Sequence, residues 1–251
     1  MPHRAFSLLE LLVVIAIIGI LLAIILPAIE KSNERARIVV CGQNLHQSAV
    51  ALGAYASDFN AQLANGPDSP SAIDPARNWN TLGNNLLWIA APKKYNGMGL
   101  LLAGTYLNDA RALVCPSDND ATHKPNIARQ IGGTEDAYGS YAYRQLDQRA
   151  SNRLTSPGNN SLGTPATAVA MDWQCTGPTP FARNSHDSGE YLNILYADGH
   201  IQFFHNDDLD FGATQKAFTA MPASYIHRLD QVWINADWVE NKPIASAPKL
   251  P

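Results

Sequence analysis

Cysteine is scarce. Cys41, Cys115 and Cys175 are the only thiols in 251 residues, and no two stand in C-x-x-C spacing. That excludes a zinc ribbon and a thioredoxin-type redox centre written locally in the chain. The H-E-x-x-H, G-x-S-x-G and P-loop patterns are absent as well, so no familiar hydrolase or nucleotide site is encoded. Basic charge is also short: 18 Lys and Arg stand against 22 Asp and Glu, a formal net charge of -4. A nucleic-acid partner would favour a basic face, so none is expected. Disorder does not fit either, since hydrophobic residues make up 46% of the chain.

The most telling absence is local. From Leu11 to Leu26 the chain reads LLVVIAIIGILLAIIL, with no polar side chain at all. Extended back to Phe6, the run covers about 20 residues, or ~30 Å of helix, the thickness of a bilayer's hydrocarbon core. A buried core helix would show one apolar stripe, whereas this run is apolar all round. A cleaved secretory signal would be shorter and would end in a small-x-small site. Here the run passes straight into an amphipathic pattern, and the only polar leader, Met1 to Ala5, precedes it. Arg4 favours a cytoplasmic N-terminus, although Lys31, Arg35 and Arg37 follow the span. Glu10 breaks the apolar pattern. A carboxylate in hydrocarbon costs about 3 kcal/mol unless it lies at the interface or meets a cation.

Beyond the span, Ile38, Cys41, Leu45, Ser48, Leu52, Tyr55 and Phe59 recur at alternating intervals of three and four, with Ala49 and Ala56 widening the stripe. The helix therefore continues and lays one face on a globular domain, ending at Asn60 and the Gly66-Pro67 turn. Residues 61–99 read as a long irregular connection, with one short helix near Leu82–Ala90. Strands are expected at Thr167–Trp173, Tyr191–Ala197 and His200–Phe204, the last two joined by a two-residue Asp198-Gly199 type I′ turn. Val232–Val239 reads as a further strand or a short helix, and Lys242–Pro251 as a frayed tail. The expected fold is α+β, one long helix packed on a small antiparallel sheet.

The segment AFSLLELLVVIAIIGILLAIILPAI resembles the N-terminal signal of type IV prepilins and type II secretion pseudopilins. The resemblance implies cleavage by a prepilin peptidase between Ala5 and Phe6, N-methylation of Phe6, and a role for Glu10 at mature position five in pairing with the amine of a neighbouring subunit. Pro27 corresponds to the family's helix proline. Ala5 stands where the family usually has Gly. Further on, Val114-Cys115-Pro116-Ser117-Asp118, Gly139-Ser140-Tyr141 and His186 with Asp198-Gly199-His200 resemble prepilin-like proteins carrying a His–nine residues–Asp-Gly motif. Here eleven residues separate His186 from Asp198.

These readings divide the chain into a leader 1–5, a transmembrane helix 6–29, an amphipathic helix 30–60, a periplasmic or extracellular head 61–241 and a tail 242–251. The implied protein is a structural subunit, not an enzyme. Its partners would be a prepilin peptidase, other pilin-like subunits and the bacterial inner membrane, crossed once with the N-terminus cytoplasmic and the head periplasmic. A non-polymerising single-pass protein and a membrane-anchored metal enzyme are the alternatives. Cys41 is readable as a small buried hydrophobe or as half of a disulfide with Cys115. Asp172, His186, Asp198 and His200 could gather at one end of the sheet. Hydrogen-bonded loop and turn roles are the simpler reading of these four. No cofactor is expected. Calcium is the one ion weighed, at Asp118-Asn119-Asp120 or Asp207-Asp208-Leu209-Asp210, neither of which has EF-hand spacing.

Overall fold

The computed structural model describes residues 8–64, 84–90, 93–118, 127–144, 153–160, 162–172, 174–176, 183–184, 186, 190–206, 211, 213–214, 223–243 and 246–249. Two compact units result, Met1–Ala36 and Arg37–Pro251. Helix α1, Leu8–Asp58, begins in the first and ends in the second.

In the first unit every large hydrophobic residue from Leu8 to Ile29 is exposed. Such a helix has no protein core to join and has the length and composition of a bilayer span. Pro27 lies inside it, and helix is maintained on both sides although the ring removes one donor.

The second unit is built around a six-stranded antiparallel sheet of order β2-β1-β3-β4-β7-β8. Its strands are β1 (Asn84–Ile89), β2 (Lys94–Tyr95), β3 (Ala137–Tyr143), β4 (Ala168–Asp172), β7 (Tyr191–Tyr196) and β8 (Ile201–His205). A smaller sheet joins β5 (Gln174–Thr176) antiparallel to β6 (Arg183–Asn184) and parallel to β9 (Ala213–Thr214). Short helices α2 (Gly99–Ala103) and α3 (Ile127–Gln130) and a 3₁₀ turn at Ala110–Leu113 lie between β2 and β3, and α4 spans Ala223–Val239.

The strands sort the core into two clusters by alternation, except in β4, where a register irregularity between Ala168 and Ala170 leaves Val169 and Ala170 in the same one. Tyr141, Tyr143, Val169, Ala170 and Leu195 pack in one with Cys41, Leu45, Ala51 and Leu52 of α1. Ala142, Ala168, Met171, Ile194 and Tyr196 pack in the other with Val232, Trp233, Ala236 and Val239 of α4. The central strands are therefore buried on both faces, which explains why β4 reads AVAM without a polar alternate.

Several expectations need correction. The stretch expected as a short helix near Leu82–Ala90 contains strand β1 instead. Leu86, Leu87, Trp88 and Ile89 make a short apolar run, which period alone cannot assign to helix or strand. Of the two readings of Val232–Val239, strand or short helix, the helical one holds, and the segment is the end of a longer, 17-residue helix, α4. Phe59 lies beyond the helix end and is half exposed, stacked on Tyr55 at 4.4 Å. Tyr196 donates its N–H to the His200 carbonyl, and Gly199 donates to the Tyr196 carbonyl. The β7–β8 loop is thus Ala197-Asp198-Gly199, three residues and not two. Only Gly199 takes positive φ, +90°, whereas a type I′ turn would require it of both central residues.

Candidate functional site

Two regions hold the residues singled out in the sequence. The first is the start of α1. Ala5 and Phe6 lie outside the described residues. Glu10 is in the first turn of α1, where a carboxylate favours the positive end of the helix dipole. It is the sole charged residue between Leu8 and Ile29.

The second lies in the head. Cys41, one of the inward-facing residues of α1, is disulfide-bonded to Cys115 across a Cα–Cα distance of 5.3 Å. Both cysteines are fully buried. The bond fastens α1 to the segment after the 3₁₀ turn, and Asn44 adds a hydrogen bond from its side chain to the Val114 carbonyl at 3.2 Å. Cys115 opens a tight turn in which the Asp118 N–H donates to the Cys115 carbonyl. The buried Asp118 carboxylate accepts the Ser140 hydroxyl at 2.6 Å. Tyr141, next along β3, reaches toward the Cys41 carbonyl at 3.5 Å. Burial, reinforced by the nearby Asp172 carboxylate, pushes the Tyr141 phenol well above its ordinary range.

His186 completes this cluster. Its ring is wholly buried, with Nε2 3.5 Å from the Cys115 sulfur and 3.3 Å from Asp172 Oδ2. Its backbone has φ of +52°, an uncommon conformation outside glycine and one that histidine tolerates better than most residues. Asp172, at the end of β4, is also completely buried. Asn193 of β7 donates both its N–H, at 2.6 Å, and its side-chain amide, at 2.9 Å, to Asp172 Oδ2. The same amide also lies 3.2 Å from the Ile38 carbonyl, three residues before Cys41. Among the described residues Asp172 Oδ1 has no hydrogen-bond partner.

The four residues grouped from sequence thus separate into two pairs. Asp172 and His186 meet at one end of β4. Asp198 and His200 meet at the β7–β8 hairpin, where the imidazole Nδ1 lies 2.6 Å from Asp198 Oδ1 and both side chains are exposed. Asp172 stands four residue steps, about 13 Å of strand, from Ala168, which pairs with Tyr196 beside that hairpin. Asp198 also accepts the His200 N–H, and these bonds hold its carboxyl below the usual range. The calcium readings fall on residues 119–120 and 207–210, outside the described residues, and Asp118 is engaged by Ser140.

Sequence reading overlooked Asn193 and Ser140 as members of the buried cluster. A signal was present. Asn193 interrupts the otherwise apolar β7 sequence LNILY at a position facing α1, and a buried amide there needs partners.

The family model described as the prokaryotic N-terminal methylation motif matches residues 1–26. No curated protein and no solved structure matches the chain. The motif therefore covers the N-terminal segment alone, which runs into a helix long and apolar enough to cross a membrane, ahead of an α+β head.

Proposed function

We propose that this chain is a filament subunit, cut between Ala5 and Phe6 by a prepilin peptidase, methylated on the new Phe6 amine, and assembled into a type II secretion-like pseudopilus or a type IV pilus-like fibre. The supporting observation is a coincidence of register. The methylation motif ends at residue 26, and the same uninterrupted helix carries the inward-facing stripe from Ile38 to Ala56. One helix in sequence therefore supplies both an anchor and a core face of the head. Before assembly the span crosses the inner membrane once, with its N-terminus in the cytoplasm and its head on the outer side.

Assembly follows from charge and packing. Glu10 pairs with the Phe6 amine of an adjacent subunit as that subunit joins. Within low dielectric that pairing offsets the cost of holding the carboxylate at membrane depth. Gly19 and Ala23 form a small-x-x-x-small pair that lets neighbouring helices approach. Pro27, lacking its N–H, allows local bending as subunits leave lipid. Open head-to-tail symmetry yields a filament. The role is structural: this mechanism uses no catalytic group and no cofactor.

The test is Glu10→Ala. Membrane fractionation should show insertion retained, while crosslinking of sheared filaments shows incorporation lost. Filament incorporation equal to that of the unaltered chain returns the protein to a non-polymerising single-pass reading. Mass spectrometry of the membrane-extracted chain should give an N-methylated Phe6 as the first residue.

A further inference from the structure

Cys41 Sγ, Cys115 Sγ, a ring nitrogen of His186 and a carboxylate oxygen of Asp172 all lie within 4.8 Å of one another, and all four residues are buried. We propose that these residues form a tetrahedral zinc site in the thiol form of the chain, so that zinc and the disulfide are alternative closures of the same joint between α1 and the sheet.

The donor set suits zinc, which takes Cys, His and Asp ligands in four-coordinate sites. The spacing suits it too. Zinc bonds of about 2.0 Å to nitrogen and 2.3 Å to sulfur, at a tetrahedral angle, put those two atoms about 3.5 Å apart. His186 Nε2 and Cys115 Sγ are 3.5 Å apart. The same construction puts a nitrogen and a carboxylate oxygen about 3.3 Å apart. His186 Nε2 and Asp172 Oδ2 are 3.3 Å apart. The two sulfurs must part, from bonding distance to about 3.8 Å.

A separate observation points to a missing ligand. Asp172 Oδ1 is buried with no hydrogen-bond partner among the described residues, although its sister oxygen receives two bonds from Asn193. An orphaned carboxylate oxygen is costly in a protein interior, and a cation bound to the same carboxylate through Oδ2 offsets that cost by neutralising its charge. The Asn193 bonds fix the carboxylate plane, as outer partners of metal ligands do. Closure of the site by four protein donors, with no open position, makes it structural and not catalytic.

The chemistry balances. Opening the disulfide takes two electrons and two protons from a dithiol, which is itself oxidised to a disulfide. Zinc then displaces both thiol protons as the thiolates bind. A chain that folds before oxidation reaches the same state with no reductant. The site belongs to the head and is independent of filament assembly.

The experiment uses the full chain in detergent with Cys175→Ser, which removes the third thiol. After reduction, the chain should take up one equivalent of zinc, and cobalt in its place should give thiolate charge-transfer bands with tetrahedral ligand-field absorption. The oxidised chain should take up none. Asp172→Asn and His186→Gln should each weaken zinc by about tenfold or more, and Cys41→Ser with Cys115→Ser should abolish the thiolate bands. The proposal is overturned if the reduced chain, folded or not, binds no stoichiometric zinc. Cobalt bands without thiolate character, equal uptake by the oxidised chain, or bands and affinity unchanged in both Asp172→Asn and His186→Gln would also sink it.

Discussion

Asp237 shows how much one buried charge organises. Its carboxylate meets Arg144 at 2.7 Å, with both side chains about 5% exposed or less. It also accepts the N–H groups of Thr167 and Ala168 and the amide of Asn160. The Arg144 guanidinium lies 5.2 Å from the Trp233 ring centroid, adding a cation–π contact. One residue of α4 thus satisfies the start of β4, a loop and the end of β3. Removing it leaves Arg144 charged in a dry site. Asp237→Ala is expected to lower the stability of the oxidised head by about 3–5 kcal/mol, read from the midpoint of urea unfolding. The pair Asp237→Leu with Arg144→Met should recover part of that loss, because no lone charge then remains.

At the scale of elements, α4 and α1 play complementary parts on opposite faces of the sheet. The inward stripe of α1 closes one face, and the disulfide limits its separation from the sheet. By loop-closure entropy a bridge across 74 residues contributes about 4 kcal/mol. The other face has no such bond and depends on apolar burial by α4. Trp233 is 1% exposed and is the largest side chain there. Trp233→Ala should cost about 3–5 kcal/mol and leave the disulfide intact, checked by thermal unfolding alongside thiol titration. A loss under 1 kcal/mol would mean that α4 is not needed to close that face.

The whole molecule combines two solvents in one chain. Among the described residues, those of the unit Met1–Ala36 form no core of their own, and those of the unit Arg37–Pro251 form two apolar clusters and a cross-link. A chain beginning at Arg37 is therefore expected to be soluble and to unfold in one cooperative transition, with the disulfide formed. Size-exclusion chromatography and circular dichroism of that fragment decide the point. Aggregation of the fragment in oxidising buffer would show that the anchor is required for the head to fold.

Local patterns in the chain were enough for the anchor, the stripe on α1 and the position of the β7–β8 hairpin. Each is carried by short-range signals: an unbroken apolar run, a period near 3.6, and a glycine where φ must be positive. The loop length at Asp198-Gly199 was misread, because Asp-Gly suits more than one hairpin and only the pairing of Tyr196 with His200 selects among them. β1 and α4 were obscured for a related reason: short apolar segments are compatible with helix or strand until neighbours are known. The buried cluster depended most on tertiary structure. Cys41, Cys115, Asp172 and His186 are far apart along the chain, and no local rule joins them. Packing α1 against the α1-facing side of β4 and β7 excludes water there, and polar groups without water must find one another.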